Sequence, residues 1–157
     1  LEPEVMALVP EGEKYDFSKN LFPRLLDMGW PMYAQAINGV WFDVGSPQEL
    51  IRAQNVLIQQ RDELPFPLPE GSRIVQGSFF HPTAEVSEDS NVKESVIAQN
   101  AFVGPNSVLV NCVLMKGSRV EEGAQLENCI LSPGAVVSAN VSAANVILGD
   151  DERLKND

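Results

Sequence analysis

A single carboxylate stands at the end of an apolar stretch in NGVWFDVGSPQEL, residues 38–50. Asp43 has an apolar residue on each side, and Gly45 begins a turn shortly after it. In α/β proteins the carboxyl ends of strands are where side chains meet ligands, so Asp43 is a candidate ligand-binding residue. The alternative is structural, because an acid at this place can also cap or brace the turn before Ser46.

Three other side chains carry reactive groups, and we predict structural roles for all of them. His81, the only histidine, could act as a general base, but HPTA lies at the start of a sequence repeat, described below, that no long loop interrupts. Cys112 and Cys129 lie at equivalent positions one repeat apart, where buried small residues are expected. Two cysteines are too few for a disulfide scaffold, which favours a reducing compartment, the cytoplasm.

The composition is that of a globular protein and argues against several classes of partner. The length of 157 residues is enough for one domain or for a small domain plus a fragment. Of these residues 44% are hydrophobic and 21% are charged, which is normal for a globular protein. Its net charge of −11 argues against nucleic acids and anionic membranes. No apolar run is long enough to span a membrane, and no signal-peptide pattern opens the sequence, so we expect neither feature in these residues. Leu1 in place of an initiating methionine suggests a piece of a longer protein.

Residues 1–61 are predicted to form an α/β segment. In NLFPRLLDMG, Asn20 is the candidate N-cap of a helix, with Pro23 in the first turn and Gly29 as the C-terminal cap. The stretches MYAQAI and VWFDV are predicted strands, joined into a hairpin by the Asn38-Gly39 turn. We therefore expect the order helix, strand, turn, strand and then a second helix.

The second helix begins at SPQE, which is a capping box. Ser46 is the predicted N-cap, Pro47 the first helical residue and Glu49 the third. The helix is predicted to run to about Arg61, with an apolar face that comprises Leu50, Ala53 and Leu57. After it, DELPFPLPEG alternates proline with apolar residues, which predicts an extended connector.

From residue 78 onward the sequence repeats with a period of 17. Pairs of a mostly small residue and an apolar residue two positions later recur at spacings of 6, 6 and 5 without a gap. Because residues i and i+2 of a strand share a face, each pair points two side chains inward. Three short strands per period predict a triangular coil whose stacked turns bury one aliphatic column. The pairs are Ser78/Phe80, Ala84/Val86, Ser90/Val92, Ser95/Ile97, Ala101/Val103, Ser107/Leu109, Cys112/Leu114, Ser118/Val120, Ala124/Leu126, Cys129/Leu131, Ala135/Val137, Val141/Ala143 and Val146/Leu148.

This pattern resembles the hexapeptide-repeat left-handed parallel β-helix, and only the resemblance implies the hand of the coil. Asn111, Asn128 and Asn145 recur at one corner, where asparagine tolerates a positive φ better than most residues. The match covers about half of the chain. It is specific for fold but not for function, because this coil occurs in acyltransferases and also as a passive appendage.

Four stretches of the first half occur in the order LEPEV, YDFSKNLFPRLL, NGVWFDVGSPQEL and IRAQNVL. Followed by a β-helix, they resemble the closing part of a sugar-1-phosphate nucleotidyltransferase of the NDP-sugar pyrophosphorylase family, of the mannose-1-phosphate guanylyltransferase or glucose-1-phosphate nucleotidyltransferase type. In that family the acid of W-x-D-x-G-[ST]-P binds the catalytic Mg²⁺ beside the nucleotide phosphates. The resemblance implies that Asp43 is the catalytic and metal-binding residue. Trp41 and Gly45 are substrate-side candidates, although packing is the simpler role for Trp41 and for Trp30.

The resemblance also implies the reaction of the whole enzyme, in which a nucleotidyl group passes from an NTP to a sugar 1-phosphate, giving NDP-sugar and pyrophosphate. The family's glycine-rich G-x-G-[ST]-R loop, which cradles the triphosphate, has no counterpart here. The chain is therefore predicted to be an inactive C-terminal fragment whose β-helix serves assembly or regulation, with homo-oligomers forming through the coil. The alternative is a stand-alone hexapeptide-repeat protein, either an acyltransferase or an interaction scaffold.

Taken together, the predicted fold is mostly β: a three-sided left-handed parallel β-helix of about four coils, preceded by an α/β remnant of a nucleotidyltransferase catalytic domain. The predicted domains are the remnant over 1–61, the proline-rich connector over 62–72, the β-helix over 73–149 and a charged tail over 150–157.

Overall fold

The computed structural model describes residues 1–156 and divides into two compact units, Leu1–Gly39 and Val40–Asp157. The first unit contains helix α1 (Pro3–Met6), a π-helical turn (Phe17–Leu21) and helix α2 (Phe22–Asp27). The second contains helix α3 (Pro47–Gln59), a 3₁₀ turn (Arg61–Glu63) and all the strands that residues 1–156 form. Within that range every helix is too short or too polar to cross a bilayer.

The first unit has a small apolar core in which Val5, Leu21 and Leu25 are buried. Trp30 packs against this core, as the packing interpretation predicts. The helical segment begins one turn earlier than the sequence indicates, because the carboxylate of Asp16 accepts the Lys19 amide at 2.8 Å and caps a π-helical turn. The prediction of Asn20 as N-cap is therefore wrong.

The two ends of α2 agree with the sequence. Pro23 lies in the first turn of α2, as predicted. Gly29 follows the last helical turn with φ +69°, the left-handed conformation in which glycine ends helices.

The predicted hairpin around Asn38-Gly39 does not form. Residues 30–45 form no helix and make no strand pairing, and almost all of them are exposed. Tyr33, Ile37 and Trp41 are 94%, 82% and 78% exposed, so their apolar side chains have no surface to pack on. An isolated two-stranded hairpin is marginal in water without a third strand or a packed face, and residues 1–156 supply neither for this segment.

Helix α3 begins where the capping box predicts. The Ser46 hydroxyl accepts the Glu49 amide at 3.2 Å, and Pro47 occupies the first turn. The predicted apolar face is right in part: Ala53 is buried and Leu50 packs against a buried cluster, whereas Leu57 is only half-buried and Ile51 and Ile58 are buried instead. The reason is tertiary, because Ile51 packs against Val113 and Ile130 on the outer face of the β-helix.

The strands of residues 1–156 are short and follow one another at the spacing of the repeat. In chain order they are β1 (Arg73–Val75), β2 (Ser78–Phe80), β3 (Glu85–Val86), β4 (Asn91–Lys93), β5 (Val96–Ile97), β6 (Phe102–Val103), β7 (Val108–Val110), β8 (Val113–Leu114), β9 (Arg119–Val120), β10 (Gln125–Glu127), β11 (Ile130–Leu131), β12 (Val136–Val137), β13 (Ser142–Ala144), β14 (Ile147–Leu148) and β15 (Arg153–Leu154).

These strands form the three sides of a parallel β-helix of about four coils, as predicted. The sheets have the orders β1-β2-β5-β8-β11-β14, β13-β10-β7-β4 and β15-β12-β9-β6-β3. All pairs are parallel except β1 with β2. In the first sheet Ile97 pairs with Leu114, Leu114 with Leu131 and Leu131 with Leu148, so residues one period apart stack in register. The left hand of the coil stays a prediction of the resemblance.

The interior of the coil is the predicted aliphatic column. Every apolar member of the inward pairs lies in one buried cluster or packs directly against it. Burial is complete in the middle coils, where Ile97, Leu109 and Leu114 have no exposed surface. The column extends past the predicted end of the β-helix, because β15 pairs with β12 and Leu154 packs against the core. The predicted domain boundaries otherwise stay a prediction.

Candidate functional site

Asp43 lies on the exposed segment before α3, and a turn directly follows it. Its main-chain carbonyl accepts the Gly45 amide at 2.9 Å, so the backbone braces the turn that the alternative interpretation assigned to the side chain. The carboxylate itself makes no hydrogen bond or ion pair within residues 1–156. Asp43 follows no strand in this structure, yet its side chain is exposed and unengaged, as a ligand-binding group requires.

The two substrate-side candidates flank this acid. Trp41 is 78% exposed and packs in none of the buried clusters of the described residues, so the packing interpretation is not met for it. Gly45 has an ordinary backbone conformation, and a Cβ placed on it would meet no atom within 4 Å. The structure thus leaves open space around residues 41–45, which a ligand or another segment of protein could fill.

Asp43 alone does not fit a resident metal ion. Within residues 1–156 no three acidic, cysteine or histidine side chains come together as a metal-binding group. Mg²⁺ prefers octahedral oxygen ligands and binds proteins through carboxylates together with substrate phosphates. Any Mg²⁺ at Asp43 would therefore need further ligands from outside these residues.

His81 has a structural role in the first coil. Its Nδ1 accepts the Thr83 amide at 3.2 Å and lies 3.0 Å from the Thr83 hydroxyl. That hydroxyl in turn accepts the Asn100 amide of the next coil at 3.0 Å. The ring nitrogen is therefore engaged in a turn, which agrees with the prediction that HPTA opens a repeat.

Cys112 and Cys129 are free, fully buried and stacked one coil apart. They continue a column of small inward groups, since the Ser95 hydroxyl accepts the Cys112 amide at 2.9 Å. Each thiol donates to a main-chain carbonyl, Cys112 to Val110 at 3.2 Å and Cys129 to Glu127 at 3.3 Å. The neighbouring Cys129 thiol, and then burial, raise the pKa of Cys112. The interaction with the Cys112 thiol lowers the pKa of Cys129, against the opposing effect of burial. Since neither sulfur reaches the surface, both thiols are components of the core, as predicted.

The sequence did not lead us to a cavity between α3 and the β-helix. Its volume is about 340 Å³, and it lies between the helix and the corner row Asn111, Asn128 and Asn145. These three asparagines share the left-handed backbone conformation, with φ values of 56°, 52° and 58°. Because they are one period apart, their side chains form a row along the corner of the coil. The asparagine recurrence was visible in the sequence, but the cavity also depends on how α3 packs against the β-helix, which the periodicity of the helix does not predict.

The comparisons with known proteins point to one family for the C-terminal half. Residues 74–157 match the family profile described as the GMPPB C-terminal domain. Glucose-1-phosphate adenylyltransferase from Clostridium kluyveri is 28% identical over 114 residues, which cover 64% of this chain and 30% of that protein. UTP–glucose-1-phosphate uridylyltransferase from Synechocystis sp. is 26% identical over 145 residues, which cover 70% of this chain and 37% of that protein.

The chain thus spans about a third of the length of these curated relatives. Among solved structures, the acetyltransferase domain of PglB from Neisseria gonorrhoeae FA1090 has 22% sequence identity and a TM-score of 0.37, over 71% of this chain and 65% of that one. A score this low carries no argument about function.

Proposed function

The chain belongs to the family described as the GMPPB C-terminal domain, and from this premise we propose that it is the C-terminal part of a sugar-1-phosphate nucleotidyltransferase. The whole enzyme would transfer a nucleotidyl group from an NTP to a sugar 1-phosphate and release pyrophosphate. The observation that carries the proposal is the family match over residues 74–157, because it is joined to relatives whose names state this reaction.

Within this proposal Asp43 is the group of the chain that reaches the reaction centre. Its carboxylate is exposed and free of protein partners, and Trp41 and Gly45 beside it leave space for a substrate. A divalent cation bound there would neutralise part of the negative charge on the nucleotide phosphates. Because residues 1–156 bring no three acidic, cysteine or histidine side chains together, Asp43 would contribute one oxygen to a site completed by the rest of the enzyme and the nucleotide.

The β-helix is proposed to assemble the enzyme into a homo-oligomer. The last strands of the three sheets, β13, β14 and β15, have no partner on their outer edge within the described residues. Ala143, Val146 and Leu154 at this end are only partly buried. Open strand edges and incompletely covered coil ends favour pairing with another chain. Sedimentation of the chain at micromolar concentration tests this, and a strict monomer would contradict it.

Pyrophosphate release by the full-length protein tests the proposed reaction. The assay combines each NTP with mannose 1-phosphate or glucose 1-phosphate in the presence of Mg²⁺. We expect at least one combination to be turned over by the full-length protein and none by the 157-residue chain alone. Failure of every combination with folded full-length protein, or turnover by the isolated chain, would overturn the proposal.

A further inference from the structure

We propose that the cavity between α3 and the asparagine corner is a second ligand site, which binds a hexose phosphate. The cavity has a volume of about 340 Å³, within the range of small-molecule sites. All of its walls belong to the second unit. They are Pro47, Gln48, Ile51, Arg52, Asn55, Val56, Asn111, Asn128, Asn145 and Ile147. Asp43, Trp41 and Gly45 do not line it.

Carboxamides form one wall, and a ladder of hydrogen bonds holds part of it in place. The Asn55 amide donates to the Asn111 carbonyl oxygen at 2.7 Å, and the Asn111 amide donates to Asn128 at 2.6 Å. Within residues 1–156 the ladder stops there, since no hydrogen bond joins Asn128 to Asn145. The amide of Asn128 and the whole carboxamide of Asn145 therefore face the cavity with donors and an acceptor to spare. Carboxamides suit hydroxyl groups because they can donate and accept at once.

Aliphatic side chains form another part of the wall, and Ile147 is the one that the β-helix contributes. Val113 and Ile130, on the outer face of two successive coils, are covered by Ile51 and are only 3% and 4% exposed. Ile147 occupies the same position one coil further, where it is 53% exposed. The helix thus leaves one aliphatic surface uncovered beside the free carboxamides. A sugar ring combines these two properties, because its hydroxyls point outward and its C–H groups offer an apolar face.

Arg52 supplies the only charge among the residues that line the cavity, although the chain as a whole has a net charge of −11. Its guanidinium lies 3.5 Å from the Glu49 carboxylate, and the two side chains are 69% and 39% exposed. Such an exposed ion pair contributes little to stability. A phosphate can therefore compete with Glu49 for the guanidinium and bind it through two hydrogen bonds. A polyhydroxylated ring with one phosphate therefore fits the cavity in both shape and charge.

The choice of hexose phosphates among polyhydroxylated anions rests on the proposed function. The test measures binding to the cavity and does not require the chain to have any activity. Amide NMR of the 17.2 kDa chain is recorded while glucose 1-phosphate, mannose 1-phosphate, glucose or inorganic phosphate is added. We expect saturable shifts of the side-chain amides of Asn128 and Asn145 with a hexose phosphate. Glucose and phosphate, which each supply half of the contacts, should bind more weakly.

Two variants and a control assign the contacts. Arg52→Gln should weaken hexose phosphate binding about tenfold, the effect of losing a charge-assisted hydrogen bond, while the weak binding of glucose is unchanged. Asn145→Asp keeps a residue that tolerates the positive φ and should abolish binding by charge repulsion. Lys116→Gln removes an exposed cation that does not line the cavity and should change nothing.

The proposal is wrong if no hexose phosphate shifts these amides at millimolar concentration, or if Arg52→Gln and Lys116→Gln weaken binding equally. Shifts confined to residues 41–45 would also overturn it, since they would locate the ligand at the Asp43 segment. None of these results bears on pyrophosphate release by the full-length protein, so the two proposals fail separately.

Discussion

The β-helix and the segment over residues 30–45 are both made of short apolar runs between turns, but only the β-helix forms strands. In the coils of the β-helix each strand pairs with a strand of the same chain one period away. Leu114, for example, pairs with Ile97 on one side and with Leu131 on the other. The 30–45 segment finds none within residues 1–156, and Trp41 stays 78% exposed. Short runs therefore become strands only where the chain itself, or another protein, supplies the neighbouring strand.

The difference also concerns what each region can be used for. Residues of the coil interior are committed to packing, and even its two thiols are enclosed. The 30–45 segment holds side chains without protein partners, among them the Asp43 carboxylate. Binding residues are commonly found on such connecting segments beside a rigid scaffold.

Replacing one apolar side chain by aspartate in each region should give the largest difference. Leu114→Asp introduces a charge into the fully buried column and should lower the free energy of unfolding by about 4 kcal/mol or more. Trp41→Asp changes an exposed side chain and should alter it by less than about 0.5 kcal/mol. Urea unfolding followed by circular dichroism measures both, and equal effects would remove the distinction between the regions.

A second pair compares two glycines. A Cβ on Gly104 would lie 2.8 Å from the Glu122 main-chain nitrogen of the next coil, whereas one on Gly45 would meet nothing within 4 Å. Gly104→Ala should therefore cost about 1–3 kcal/mol through overpacking, and Gly45→Ala should cost nothing measurable. A Gly104→Ala chain as stable as the parent would mean that the coils are less closely stacked than described.

A smaller effect is expected where α3 is attached to the coil. Asn55→Ala removes the 2.7 Å hydrogen bond to Asn111 and should lower the free energy of unfolding by about 0.5–1 kcal/mol, since this loss exceeds alanine's gain in helix propensity. Gln59→Ala, at an exposed position of the same helix without a side-chain hydrogen bond in the described residues, is the control. Equal midpoints for the two variants would show that the asparagine ladder does not stabilise the helix.

The smallest effect on stability is expected at Asp43. Its side chain is exposed and makes no contact that folding depends on, so Asp43→Asn should leave the unfolding midpoint of this chain unchanged within error. A clear loss would mean that the carboxylate braces the turn before Ser46, as the structural alternative holds.

The periodic part of the fold was predictable because its interactions are local in the repeat. The inward pair Cys112/Leu114 recurs 17 residues later as Cys129/Leu131, so the sequence spacing alone predicts which strands pair and which residues form the core. Both predictions are confirmed. The resemblance to the C-terminal part of a sugar-1-phosphate nucleotidyltransferase is likewise confirmed at the level of the family.

The aperiodic part was predicted less well, for physical reasons. Asn20 was taken as an N-cap because the π-helical turn ahead of α2 has no sequence signature, and Asp16 caps it instead. Leu57 was assigned to the buried face because periodicity cannot tell which side of α3 meets the β-helix. The cavity beside Asn145 depends on that docking and was missed with it. The binding of Mg²⁺ by Asp43 and the substrate-side positions of Trp41 and Gly45 stay predictions.

Turnover of the full-length enzyme with Asp43→Asn tests the central claim most directly, namely that the exposed acid of this chain serves the reaction. Asparagine keeps the shape of the side chain and removes its charge, so the protein should fold as the parent does. We predict that pyrophosphate release falls by at least about a hundredfold, because a metal ligand that offsets phosphate charge is lost. Release at the parental rate from the folded variant would contradict the account and leave Asp43 as a residue of the turn.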